Sequence, residues 1–130
     1  MFDMLYKLKI YNFTITIDGF KDQHDKIKFT QDGLGTYDNI INNLINIRDN
    51  KQYKFAKIRI RVNMTKKFLE ILDNFVLYIN SLFSSDSRFS FQFIPVENFN
   101  KKENNDYFDN KNECFSKLLK NEIYVNNSGF

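Results

Sequence analysis

The chain has 130 residues, 42% hydrophobic and 27% charged, which suits one globular domain large enough to bury a core. Its formal net charge is +3, with Lys and Arg interleaved with Asp and Glu. That reads as a solvated surface rather than a nucleic-acid patch. No apolar run reaches the ~18 residues of a membrane span. Asp3, Lys7 and Lys9 interrupt any signal-peptide pattern, and the single Cys114 leaves no internal disulfide, so the expectation is a cytoplasmic protein with neither membrane nor nucleic acid as partner.

Phe2, Leu5 and Leu8 recur at helical spacing and predict a short helix over Phe2 to Lys9. From Tyr11 to Asp18 the pattern switches to alternation, with Phe13, Ile15 and Ile17 on one side and Thr14, Thr16 and Asp18 on the other. This predicts a strand. Gly19 to Gly35 then reads as one long loop, far beyond the usual length of a strand-to-helix connection. Thr36 is the expected N-cap of a helix whose apolar stripe is Tyr37, Ile40, Ile41, Leu44, Ile45 and Ile47.

Lys57 to Asn63 predicts a second strand, with Ile58, Ile60 and Val62 opposite Lys57, Arg59 and Arg61. Thr65 is placed to cap the next helix, whose stripe runs from Phe68 through Leu72, Phe75 and Ile79 to Phe83. Arg88 to Ile94 predicts a third strand, with Phe89, Phe91 and Phe93 alternating and Pro95 at its end. Asn98 to Glu113 is polar and Asn-rich and reads as an exposed connection. Cys114, Phe115, Leu118 and Leu119 mark a short helix; Ile123 to Val125 is expected as a short strand, and Asn126 to Phe130 as an open end.

Strands separated by helices imply right-handed crossovers and parallel pairing. The fold class is therefore α/β, a partial (β/α) barrel fragment with about three parallel strands and flanking helices. Three strands with both edges open are few for a free-standing parallel sheet. Ligands in such folds gather at the C-terminal ends of the strands, which is where the Gly19–Gly35 segment lies.

That segment holds the densest polar cluster: Asp18, Gly19, His24, Asp25 and Lys28. Asp18 is open to two roles, a backbone-capping turn or a ligand contact. His24 has no second histidine or nearby cysteine to form a metal site, and is suited to fixing the loop by a hydrogen bond to Asp25 or to backbone. Gly33-x-Gly35-Thr36 leading into a helix has some likeness to a phosphate-binding turn, but it is neither of the established glycine-rich phosphate motifs. Arg59 and Arg61 share a strand face, turned either to an anion or to solvent. Cys114 lies on an apolar helix face, as a structural thiol does.

Taken together, TITIDG, HDKIK, GLGTYDNIINNL, IRIRVN and FQFIPVE, in this order and spacing, resemble the radical SAM superfamily. The likeness is to its branch of peptide maturases and anaerobic sulfatase-maturating enzymes with SPASM-type extensions, and covers nearly all of residues 5–97. It implies that residues 1–97 form the C-terminal half of a partial (β/α)6 barrel, strands four to six. Residues 98–130 would then be a polar connection and short helix leading toward a C-terminal extension. It implies cofactor-binding positions at Thr16, Asp18, Lys28 and Asn63, with Thr16 against S-adenosylmethionine and Lys28 on its carboxylate. The backbone around Ile94 to Val96 would border the adenine.

Lys28 stands where the family has arginine, which keeps the charge and loses the planar two-point grip. The C-x-x-x-C-x-x-C motif that holds the family's [4Fe–4S] cluster does not occur, nor does a Gly-Gly-Glu-Pro turn, and one cysteine cannot replace three thiolates. The resemblance thus implies no catalytic or metal-ligating residue in this chain. It implies a fragment or split half, inactive alone, of an enzyme that modifies a peptide or protein through a 5′-deoxyadenosyl radical. A complementary N-terminal barrel half would be its partner, and the cluster would be present only with that half. The alternative is a non-catalytic α/β binding or interaction module of the same ancestry, its sheet edges covered by self-association or by another chain.

Overall fold

The computed structural model describes residues 1–98 and 106–120. In chain order these form α1 (Phe2–Lys7), β1 (Asn12–Thr16), α2 (Lys21–Ile27), α3 (Tyr37–Asp49), β2 (Lys57–Met64), α4 (Phe68–Phe83), β3 (Phe89–Pro95) and α5 (Lys111–Lys120). The three strands make one parallel sheet in the order β1-β2-β3. The α/β class with three parallel strands is thus the observed one. The strand expected at Ile123 to Val125 and the end from Asn126 lie outside the described residues.

The two faces of the sheet differ sharply, as the alternation in each strand dictates. On one face, Ile58, Ile60, Val62 and Met64 of β2 and Phe89, Phe91 and Phe93 of β3 are buried. They join Tyr37, Ile41, Leu44 and Ile47 of α3 and Phe68, Leu72, Phe75, Ile79 and Phe83 of α4 in a single core. Each such side chain contributes on the order of 1.5–3 kcal/mol of burial before entropy costs. Sequential strand order with right-handed crossovers puts both helices on the same face. β1 and β3 are both edge strands; Phe13 and Ile15 of β1 are half-buried because they line a cleft between α1 and α3, whereas Phe89, Phe91 and Phe93 of β3 are covered. Phe2 and Tyr6 of α1 close over this end by ring contacts with Phe13, Tyr11 and Tyr53.

Two capping arrangements hold the crossovers. Thr65 fulfils its expected role: its Oγ1 accepts the Phe68 N–H at 3.2 Å, and Asp106 adds a carboxylate acceptor for the Lys67 N–H at 2.8 Å. At the other end of α3, the Arg88 guanidinium donates to the carbonyls of Ile47, Arg48, Asn50 and Tyr53 at 2.8–3.1 Å. Asp86 pairs with it at 2.7 Å, and both side chains are about nine-tenths buried. Positive charge at a helix C-terminus also suits the macrodipole.

Two expectations are corrected. The segment Gly19 to Gly35 is not one irregular loop: it contains α2 and a small antiparallel bridge between Phe29 and Gly35. Helix α2 shows no apolar stripe because the one residue it buries is His24. The expected exposed connection from Asn98 to Glu113 is, in its described part, tied to the sheet. Phe108 is fully buried, and its backbone bonds Val96 and Asn98 at 2.9 Å, extending the edge beyond β3. Tyr107 and Phe108, two adjacent aromatics among polar neighbours, carry no periodicity to announce this.

Candidate functional site

The face of the sheet opposite α3 and α4 is polar. Register aligns its side chains in rows across the strands: Thr14, Arg59 and Ser90 in the first, Thr16, Arg61 and Gln92 in the second. Asn63 and Ile94 continue into a third row at the C-terminal ends. There the Asn63 amide donates to Asp18 Oδ1 at 3.1 Å. Parallel sheets are ordinarily covered on both faces. Here, among the described residues, Thr14, Arg59 and Ser90 stay exposed and Thr16, Arg61 and Gln92 half-buried.

The Asp18 end is built by α2 and the start of α3. Gly19 turns the chain at φ +116°, in a region that favours glycine, and a Cβ there would crowd Gln23 and Ile71. His24 then sits buried beneath the turn. The Asp18 N–H donates to His24 Nδ1 at 3.1 Å, so Nδ1 is the acceptor and Nε2 carries the proton. Nε2–H donates to Thr36 Oγ1 at 3.0 Å, and the Thr36 hydroxyl donates to the Lys28 carbonyl at 3.0 Å. This chain fixes one tautomer of a neutral imidazole. Burial, then the Lys28 charge, pushes the His24 pKa down against the opposing pull of Asp18 and Asp25. A protonated ring would set an N–H against the Asp18 N–H.

Thr36 is therefore occupied elsewhere and does not cap α3 with its side chain. Asp25 does so instead: its Oδ1 accepts the N–H groups of Thr36 and Tyr37, each at 2.9 Å. Gly35 makes room for this, because a Cβ at that position would overlap the Asp25 carboxylate. The turn that had some likeness to a phosphate-binding loop thus has these two N–H groups already taken by a carboxylate. Lys21 of α2 and Asp38 of α3 add an exposed ion pair across the same junction.

Of the four residues expected to contact a cofactor, the structure brings Asp18, Lys28 and Asn63 together. Lys28 Nζ lies 3.3 Å from Asp18 Oδ2, but off the line of a hydrogen bond, so this buried oxygen has a nearby charge and no donor. Thr16 stands one row away, beside Arg61. Arg61 Nε is likewise buried without an acceptor. Arg59 and Arg61 share this face, as their alternation predicts. Asp25 belongs to the expected polar cluster, but in another role: His24 bonds the Asp18 backbone N–H instead, and Asp25 caps α3 through partners more than ten residues away that follow no local period.

The chemistry of the donor set limits what can be held here. Among the described residues no group of three His, Cys, Asp or Glu could bind a metal ion. Cys114 is fully buried in the core, and burial pushes its thiol up to about 11. Hydroxyl, amide and ammonium groups suit a polar organic ligand; they do not suit an iron–sulfur cluster. A separate cleft of about 480 Å³ lies on the apolar side of β1 between α1 and α3. Its Asp3 carboxylate is bonded to Tyr53 and Lys7, and the cleft is remote from the polar rows. Among the described residues no helix is long and apolar enough to cross a membrane. In comparisons with known proteins, no family, curated protein or solved structure matches the chain.

Proposed function

We propose that the chain supplies one half of a radical SAM-type partial barrel, binding S-adenosylmethionine on its polar sheet face. The observation that carries this reading is the arrangement of the two faces. Among the described residues α3 and α4 both pack on the apolar face, as outside a barrel. On the other side Asp18, Lys28 and Asn63 converge at the strand ends, with Thr16 one row below. Thr16 and Asn63 would hold the cofactor's polar groups, with Asp18 fixing the Asn63 amide, and Lys28 would hold its carboxylate. The bound cofactor supplies the reactive group for modification of a peptide or protein. The cluster ligands belong to a segment other than the residues described, because Cys114 is sealed in the core. On this reading the 130 residues alone are inactive, and a complementary half completes the sheet at β1.

Equilibrium dialysis with S-adenosylmethionine tests the reading. Binding should be weak, and abolished by Thr16→Val or Asn63→Leu; binding that is absent, or unchanged in both variants, rejects it. Anaerobic reconstitution with iron and sulfide should give no stoichiometric cluster by electron paramagnetic resonance. One reducible [4Fe–4S] centre per chain contradicts the assignment of ligands to another segment.

A second reading, a non-catalytic binding module, is favoured by the open β1 edge, whose Asn12–Thr16 run carries neither Lys nor Pro to block pairing. Met4, Leu8 and Ile10 are exposed near it. Light scattering discriminates: self-association without S-adenosylmethionine binding supports this module, and a stable cooperative monomer counts against it.

A further inference from the structure

The two arginines at the centre of the polar face have no role in the cofactor reading. Arg59 is exposed and Arg61 half-buried. Among the described residues neither has a salt bridge, although every other arginine, Arg48 and Arg88, has one. Arg61 Nε is cut off from solvent and lacks an acceptor. Their row neighbours Thr14, Thr16, Ser90 and Gln92 are neutral. Asp18, the carboxylate at the C-terminal end of this face, is engaged by Asn63 and lies beside Lys28.

The geometry points to an acidic peptide in extended conformation, lying along β2 with carboxylates on alternate residues paired to Arg59 and Arg61. Two features select this ligand class. Side chains two apart on a strand repeat every ~6.6 Å, so an extended chain presents alternate carboxylates at the spacing of the two arginines. The terminal Nη pair of a guanidinium also matches the two oxygens of a carboxylate in one plane, and leaves the enclosed Nε of Arg61 out of the contact. A phosphate would be better served by a cluster of backbone N–H groups, and the α3 N-terminal groups that could form one are taken by Asp25. The inference deepens the proposed function by naming its peptide substrate as acidic. It rests on that reading only in taking this face as the ligand face.

The test uses the whole chain without cofactor and a fluorescein-labelled Ser-Glu-Ser-Glu-Ser-Glu peptide, read by anisotropy. Binding should weaken steeply with salt. It should fall about tenfold or more in Arg61→Gln and in the all-glutamine peptide, as loss of a charge-assisted bidentate pair implies. Lys117→Gln, on α5, should leave it unchanged. Arginine side-chain N–H resonances of the unmutated chain give a reading independent of variant folding: the Arg61 Nε–H should shift with the glutamate peptide. Equal binding of both peptides, no shift at Arg61, or an equal shift with inorganic phosphate overturns the proposal. Peptide binding without S-adenosylmethionine binding keeps this inference and rejects the cofactor reading, so the two fail separately.

Discussion

Substituting Gly35 by alanine tests how the polar cluster is held. Gly35 has no positive φ that would strain an alanine backbone. Its penalty arises from one neighbour: the new Cβ would occupy the space of the Asp25 carboxylate, which caps α3 through Thr36 and Tyr37. Moving Asp25 aside forfeits that cap, at about 0.5–2 kcal/mol, and its charge at the helix N-terminus, at about 0.3–1 kcal/mol. The sum predicts a loss of roughly 1–3 kcal/mol for Gly35→Ala. With a urea slope on the order of 1.5 kcal/mol per molar, the midpoint falls by about 0.7–2 M. Asp25→Ala should cost a similar amount. The two should not add: once Asp25 is truncated nothing remains for the Cβ to displace, so Gly35→Ala becomes nearly neutral in that background. Urea unfolding of both single variants and the double variant, followed by circular dichroism, closes the cycle. Additive losses would refute the placement of Asp25 under Gly35.

Further predictions follow the same contacts. The folded-state pKa of His24 lies below its ordinary value, so the unfolded chain takes up the proton first as pH falls. Stability should drop as pH falls from about 6.5 through the folded value, by at most ~1.4 kcal/mol per pH unit, and be flat above. His24→Gln should remove this contribution from urea midpoints measured between pH 7.5 and 5.5; equal slopes contradict the neutral tautomer. Arg88→Ala leaves the buried Asp86 with only the exposed Lys51 at 3.8 Å as a charge partner and removes the guanidinium donor from four carbonyls, of which Ile47, Asn50 and Tyr53 keep a backbone N–H; it should cost about 3–5 kcal/mol, read as a fall in the urea midpoint. Phe108→Ala should cost about 3–5 kcal/mol through the cavity it leaves; a loss under 1 kcal/mol would place the ring outside the core. Cys114 should resist iodoacetamide at pH 8 in the native state and react once the chain is unfolded.

The α/β architecture was legible because its signals are local. The alternation of β2 and β3 and the long stripe of α4 each declare their own buried face, and the order of elements fixes parallel pairing. Phe13 and Ile15 alternate as clearly as Ile58 and Ile60, yet they are half-buried, because what packs over a strand is not a local property: they line a cleft between α1 and α3. Helix α2 went unread for a different reason: its sequence, KDQHDKI, buries a histidine rather than a hydrophobic stripe. The clustering of Asp18, Lys28 and Asn63 joins residues up to 45 apart in sequence. It follows from register and from the His24–Thr36 and Asp25–Gly35 contacts, none of which has a periodic signature. Thr36 shows how a correct residue can hold the wrong role: it stands at the cap position, but its hydroxyl is drawn to Lys28 and His24.

If the polar face of the sheet is the ligand face, S-adenosylmethionine titrated to millimolar concentration into the isotopically labelled chain should shift backbone amide resonances only at Thr16, Asp18, Lys28 and Asn63 and their immediate neighbours. Shifts at Phe2, Phe13, Ile15 and Tyr53, which line the apolar cleft, or no shifts at all, would contradict it.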